Sequence, residues 1–332
     1  MTGNVDRTSE LARTEGRNTI SLREQKVLKI IETARGKKAK FKDAAITMAH
    51  GAGGKATQTL IEGLFVPAFG SEVGAVMADA GAVGEDLALT TDSFVVSPLR
   101  FPGGSIGDLA VNGTVNDLAV SGARPLALSL AMILEEGLDS GTLRAEVDTI
   151  AAAAQAAGVE IVAGDTKVVE RGHADGMFLC TTGVGRRDPR ATLSPQSLRP
   201  GDRILVSGSI GEHGTAIMLA RGEFELEAEV ESDTRSLWPV ADALLESAGE
   251  GLRCMRDATR GGVASVLNEL ARASGVAMVV RESAVPVDPV PTYEPESTRK
   301  PRKEAKPRLR PTRKSTARPA RATATEVREA RK

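Results

Sequence analysis

Between Ala44 and Gly185 the apolar positions switch repeatedly between a spacing of two and a spacing of three or four, as strands and helices require. "DLALTTDSFVV" alternates, with Leu87, Leu89 and Thr91 on one face, and predicts a strand. "SIGDLAVNGTVNDLAVSG" places Ile106, Leu109, Ala110, Val111, Val115, Leu118, Ala119 and Val120 around most of a helical circumference, so this helix is expected to be largely buried. "PLALSLAMIL" reads as a buried strand. "DSGTLRAEVDTIAAAAQAAG" predicts a helix with Asp139 or Ser140 as its N-cap and Gly158 just past its end. "VEIVAG" and "MFLCTTGVG" predict two more strands.

A second unit begins at "LRPGDRILVSGSIG", a turn followed by a predicted strand. Helices are predicted around residues 215–220, 237–248 and 263–273, then a strand in "VAMVVRES", after which the alternation stops. The mixture predicts an α/β (α+β) chain with helices layered on a sheet. Its expected parts are a polar extension (residues 1–43), an N-terminal domain (44–190), a partial C-terminal α/β domain (191–285) and a Pro/Arg-rich disordered tail (286–332). The extension has one apolar-periodic patch, at Val27, Leu28, Ile30 and Ile31.

Charge sharpens the last boundary. The whole chain carries a net −1, but the segment from Pro286 to Lys332 carries +8 and holds 8 of the 16 prolines. No apolar stretch approaches the roughly 20 residues that span a bilayer, and the N-terminus has no apolar core of a secretory signal. Cys180 and Cys254 are the only cysteines, too few for a disulfide framework, so the expected compartment is the reducing cytoplasm. The basic tail has a single aromatic, Tyr293, for stacking on bases, and nucleic-acid binding is not expected.

Chemistry-bearing residues gather at a few places. Ser105, Asp108, Asn112 and Asn116 form a polar stripe on the buried helix, with Asp117 at its edge. Such a stripe needs partners, because an unpaired buried polar group costs about 1–3 kcal/mol. A structural network and a ligand or metal-phosphate site both satisfy that need. Asp79, Asp92 and Asp165 stand where strands end, where α/β folds place ligands. Each alone is an ordinary turn residue. Together with Asn116, Asp117 and Lys167 they would suit Mg²⁺ holding a nucleoside triphosphate. "HGAGGK" offers Gly51, Gly53 and Gly54 before a helix, either for close approach to phosphate or as a hinge. "RDATRGGV" is a second glycine-bearing helix start, fit for an anion or for simple capping. His50, His173 and His213 have no metal-ligand spacing.

"HGAGGK", "TTDSFVVSPLRFPGGSIGDLAVNGTVNDLAVSGARPL", "GDTKVVE", "GDRILVSGSIGEHG" and "CMRDATRGGVASVLNELA" occur in the order found in the HypE hydrogenase maturation family, which this chain resembles from about residue 45 to 287. That resemblance implies a PurM-like N-terminal ATP-binding domain and a PurM-like C-terminal domain, here incomplete. It implies ATP-dependent dehydration of a carbamoyl group on a cysteine thiol to thiocyanate, the source of the cyanide ligand of [NiFe] hydrogenase. Asp79, Asp92, Asp117 and Asp165 would bind Mg²⁺-ATP, with Gly51, Gly53, Gly54, Asn116 and Thr166 at the nucleotide. Lys167 and Asp117 would be catalytic. A homodimer is implied, with the carbamoyltransferase HypF and the iron-carrying HypC–HypD complex as partners.

The resemblance fails at the C-terminus. It implies an "ANEGK"-like stretch and a terminal acceptor cysteine. This sequence runs instead into "DPVPTYEPESTRKPRKEAKPRLRPTRK" and has no cysteine after Cys254. The switch reads as a frameshift just after Val287, or alternatively as a genuine disordered tail. On either reading the chain is expected to keep much of its ATP site and to be impaired in thiocyanate formation. The alternatives are a scaffold that binds the carbamoyltransferase without turnover, or a divergent ATP-dependent small-molecule kinase of the same superfamily.

Overall fold

The computed structural model describes residues 40–69, 78–222 and 229–288. The predicted N-terminal helical patch and the basic tail beyond Asp288 lie outside these residues.

The chain first forms a single 3-10 turn, Met48–His50, then α1 (Lys55–Leu60), a π-helical turn (Ile61–Phe65) and α2 (Val66–Phe69). The sheet elements are β1 (Gly81–Val83), β2 (Leu87–Phe94), β5 (Ala123–Glu135), β6 (Glu160–Val169) and β7 (Met177–Arg187). They make one five-stranded sheet in the order β1-β2-β7-β5-β6. All its pairings are antiparallel except β5 with β6. A small hairpin, β3 (Arg100–Phe101) with β4 (Gly104–Ser105), leads into α3 (Ile106–Val120). The helix α4 (Ser140–Ala157) makes the crossover that a parallel pair requires.

Both helices start and stop where their residues dictate. Ser105 caps α3 by accepting from Gly107 N (3.2 Å), and Asp108 reaches back to Ser105 N (2.9 Å). Asp139 accepts from Thr142 N (2.8 Å) at the start of α4, and Gly158 at φ 68° ends it. One face of the sheet packs on these helices. Ile106, Ala110, Val111, Val115 and Leu118 of α3 are fully buried, with Leu128, Met177 and Leu179 from the strands and Ile150 from α4. Each fully buried Ile, Leu or Val contributes roughly 1.5–3 kcal/mol, so α3 is the central beam of the domain.

The opposite face is uncovered. The strand predicted to carry Leu87, Leu89 and Thr91 on one face does so, but that face is the open one, while Ala88 and Thr90 point to the helices and are buried. Cross-strand rows on the open face include Leu89 with Val184, Thr91 with Thr182 and Ser129, and Ser93 with Cys180 and Ala131. Leu89 is 44% exposed and Ile133 37%. The edge strand β6 is exposed along almost its whole length, including Ile161, Val162 and Val168.

After β7 come α5 (Glu212–Arg221), α6 (Trp238–Ala248) and α7 (Gly262–Ser274), close to the predicted helices. Ala241 and Leu245 of α6 are buried, Trp238 packs on the main core, and α7 buries no residue completely. The two strands predicted around these helices, in "DRILVSGSIG" and "VAMVVRES", do not form. A strand is held by a ladder of partner hydrogen bonds, and among the described residues neither segment has one. Leu205 (79%) and Val279 (84%) are left to solvent in consequence.

Candidate functional site

Three of the predicted carboxylates converge. Asp79 lies just before β1, Asp92 near the end of β2, and Asp117 in the last turn of α3, where the helix passes behind the sheet. Thr90 ties two of them together: its hydroxyl lies 2.8 Å from both the Asp79 carbonyl oxygen and Asp117 Oδ2, sharing one proton between them. A fourth carboxylate, Asp257, enters from the loop before α7 and stands close enough for its charge to act on Asp79.

Two guanidinium groups of the same loop face this acidic cluster. Arg256 Nε is 3.2 Å from Asp79 Oδ2, and its Nη2 is 3.1 Å from Glu269 Oε2. Arg260 Nη2 is 2.5 Å from Asp92 Oδ1, which also accepts from Ser93 N at 2.8 Å. These cations do not neutralise the cluster. Burial, then the charge of Asp257, push Asp79 up to about 8, against the pull of Arg256. Burial pushes Asp117 up to about 7, with the Thr90 hydrogen bond opposing it. Asp92 is raised too, by burial first and with Arg260 opposing.

A hard-oxygen donor set short of positive charge fits a divalent cation such as Mg²⁺. As they stand, among the described residues no group of three or more His, Cys, Asp and Glu is arranged around a common ion position. The geometry supplies the reason, since Asp79 and Asp92 are turned onto guanidinium groups.

The glycine segment lies against the same loop. Gly53, at φ 75°, approaches so closely that a Cβ there would stand 2.5 Å from Arg260 Cβ and from its carbonyl oxygen. Gly53 N donates to Thr57 Oγ1 (3.0 Å), and Gly54 caps α1. Thus "HGAGGK" and "RDATRGGV", far apart in sequence, meet beside Asp92. Arg272 Nη1 on α7 adds a bond to Gln58 Oε1 on α1 (3.1 Å).

Other predicted site residues lie elsewhere. Asp165, Thr166 and Lys167 sit on exposed β6, where Lys167 Nζ pairs with Asp165 Oδ2 at 2.9 Å. That bond, with the Thr166 N–H, holds the Asp165 carboxyl below its usual range, and none of the other three carboxylates acts on it. The four expected metal ligands are therefore not one centre within the chain. Asn116 is committed to structure: its Nδ2 donates to Arg235 O (2.9 Å) and its Oδ1 accepts from Leu237 N (2.7 Å), clamping the start of α6. On the polar stripe Ser105 and Asp108 are the capping box already described. Gly51 shows no comparable close approach, with Met48 O at 3.8 Å from a Cβ position.

Cys254 lies near Asp79 and Arg256, and burial pushes its thiol up to about 11, so it is a poor nucleophile at neutral pH. The segment that carries Arg256, Asp257 and Arg260 was read only as an anion site or a helix cap, and Thr90 was not singled out. The signal was present: acidic residues at three strand ends require cations, and "RDATRGG" carries two. An open groove of about 850 Å³ at the other end of β2 is lined by Glu85, Asp86, Arg186 and Arg187. Arg187 serves the backbone there, its Nη1 donating to Glu85 O and its backbone N–H to Asp86 O, and no carboxylate of the cluster lines the groove.

Residues 75–187 match the family described as AIR synthase related protein, N-terminal domain, and residues 199–298 match its C-terminal domain. The chain is 50% identical over 255 residues to a carbamoyl dehydratase HypE of Rhodobacter capsulatus, covering 75% of this chain and 74% of the relative. It resembles HypE in a crystal structure of a HypE–HypF complex, with a TM-score of 0.66, 47% identity and coverage of 69% of this chain and 74% of that one. A crystal structure of HypE in complex with ATP aligns with a TM-score of 0.59 and 45% identity, over 73% of each chain.

Proposed function

Since this chain belongs to the HypE family of carbamoyl dehydratases, we propose that it uses ATP to dehydrate an S-carbamoyl thiol to a thiocyanate during hydrogenase maturation. The observation that carries this is the carboxylate cluster of Asp79, Asp92, Asp117 and Asp257, short of cations and bordered by two glycine-bearing helix starts. Phosphoryl transfer to an amide oxygen needs that combination, because negative charge develops on a group already rich in it.

In the first step the carboxamide oxygen attacks the γ-phosphorus, ADP leaves, and the amide nitrogen gives up a proton. In the second, phosphate departs with the former amide oxygen and a second N–H proton is lost, leaving S–C≡N. The net change is loss of one water from the carbamoyl group, with ATP converted to ADP and phosphate. A Mg²⁺ ion held with the nucleotide would supply charge neutralisation at the phosphates. Asp79, Asp92 and Asp117 would hold it, and the backbone of Gly51, Gly53 and Gly54 would approach the phosphates. Asp117 can also hold a proton near neutral pH.

Lys167 and Thr166 fit the reading only in company. They lie on the exposed edge strand, away from the cluster of their own chain. The uncovered sheet face, with Leu89, Val184 and Ile133, supports a homodimer, and the pairing would bring Asp165, Thr166 and Lys167 to the cluster of the second copy. The carbamoyltransferase HypF is the proposed donor of the carbamoyl group, on the likeness to HypE bound to HypF, and HypC–HypD the proposed acceptor of the cyanide.

The test supplies Mg²⁺-ATP and a peptide ending in S-carbamoyl cysteine, and follows phosphate release together with loss of one water from the peptide by mass. Wild-type protein is expected to do both and Asp117→Asn neither. A mixture of Asp117→Asn and Lys167→Ala chains is expected to regain part of the activity. Phosphate release with no change in the peptide would overturn the dehydratase reading.

A further inference from the structure

We propose that Arg260 is a latch: its guanidinium contends with a bound cation for Asp92 while its backbone holds the glycine segment 51–54 in place, so that cation binding at Asp92 loosens that segment. The proposal rests on the reading of Asp92 as a ligand of the ATP-bound cation.

One residue joins three parts of the molecule. The Arg260 guanidinium is on β2, through Asp92 Oδ1 at 2.5 Å. Its Cβ and carbonyl oxygen lie where a side chain on Gly53 would have to be, which only glycine permits. Its neighbour Gly261 caps α7 at φ 87° and faces the Gly53 carbonyl oxygen, 3.2 Å from a Cβ position. Whatever moves Arg260 therefore moves the surface on which the glycine segment rests.

The two arginines of the loop differ in how firmly they are held. Arg256 is only 14% exposed, hydrogen-bonds Glu269 and is ion-paired with Asp79 at the same time, so it is the more firmly held. The Arg260 side chain is 55% exposed and that of Asp92 28%, which makes theirs an ion pair that water and salt weaken. A divalent ion on Asp92 would stand beside that guanidinium at near-contact distance, and like charges at that range repel. The pair at Asp92 is the one that gives way.

Hydrogen exchange of the full chain over residues 48–57, with and without Mn²⁺, tests this, alongside Mn²⁺ affinity measured by electron paramagnetic resonance. In wild-type protein, Mn²⁺ is expected to raise exchange in that segment. Arg260→Ala is expected to raise it several-fold without Mn²⁺, to abolish the response to Mn²⁺, and to bind Mn²⁺ about two- to fivefold more tightly. Asp92→Asn breaks the same pair from the other side and should loosen the segment in the same way. Unchanged exchange in both variants overturns the latch. Weaker Mn²⁺ binding by Arg260→Ala overturns the competition, since the guanidinium would then be helping the ligand. If Mn²⁺ binds none of the proteins, release by a cation and the metal reading of Asp92 fall together, while exchange in the ligand-free proteins still decides whether Arg260 holds the segment.

Discussion

Replacing Asn116 by alanine separates a structural role from a nucleotide-binding one. Its side-chain amide makes two hydrogen bonds, to Arg235 O at 2.9 Å and from Leu237 N at 2.7 Å, and both end on the backbone that begins α6. A net hydrogen bond is worth about 1 kcal/mol, and backbone groups left without a partner in a half-buried site raise that cost, so Asn116→Ala should destabilise by about 2–3 kcal/mol. For a domain of this size about 1 kcal/mol shifts the melting temperature by roughly 2–4 °C, giving an expected drop of roughly 4–12 °C. The loss should fall on α6, whose Trp238 packs against the main core, and near-ultraviolet circular dichroism of this single tryptophan reports it locally. Asn116→Asp keeps the acceptor for Leu237 N but sets a carboxylate against a carbonyl, so it should cost about as much. ATP affinity measured well below the melting temperature should change by less than about threefold. An unchanged melting temperature together with a large loss of ATP affinity would refute the argument and return Asn116 to the nucleotide.

The cluster itself predicts a pH dependence. Asp79 at about 8 and Asp117 at about 7 keep protons in the folded chain that the unfolded chain has lost near pH 4, so stability should fall as pH rises from about 4 to about 8 and level off above that. Melting curves should show this, with Asp79→Asn flattening the slope and Mg²⁺ opposing it. Glu146 is fully buried, bonded to Gly107 N and paired with Arg100 Nε at 2.8 Å. Arg100→Ala should cost about 1–3 kcal/mol in urea denaturation, less than a fully buried pair because Arg100 is half exposed. Ile133→Glu on the open sheet face should leave the monomer's melting temperature within about 2 °C while shifting the proposed homodimer to monomer in analytical ultracentrifugation; a dimer of unchanged affinity would put the interface elsewhere.

What the sequence disclosed was what local chemistry decides. The helix from Ser140 to Ala157 could be read because Asp139 and Gly158 punctuate it, and α3 because its apolar residues surround it. Alternation also found β2, and apolar runs marked β5 and β7, since their pairing is complete within one domain. It could not tell which face of β2 would be buried, because both faces carry Leu, Ala or Thr. The segments around Leu205 and Val279 have the composition of strands, yet pairing is not a property of composition. Asp79, Asp92 and Asp117 were visible at strand and helix ends. Their counter-charges were not, because Arg260 and Asp92 are 168 residues apart and nothing local links them. The structural bonds of Asn116 were hidden for a related reason: a polar residue on a buried helix satisfies its bonding with whatever backbone passes, and the loop before α6 passes there.

All pairings of the main sheet lie within residues 81–187, whereas Arg256 and Arg260 come much later in the chain. On a ribosome, then, the sheet can close while its counter-charges are still being synthesised. During that interval Asp79, Asp92 and Asp117 would face one another with no arginine opposite, and protonation would be their main relief. The open sheet face is available over the same interval to another nascent chain on the same message. Assembly would thus run ahead of completion: two chains could meet over their sheets before either possesses the loop that finishes its acidic cluster.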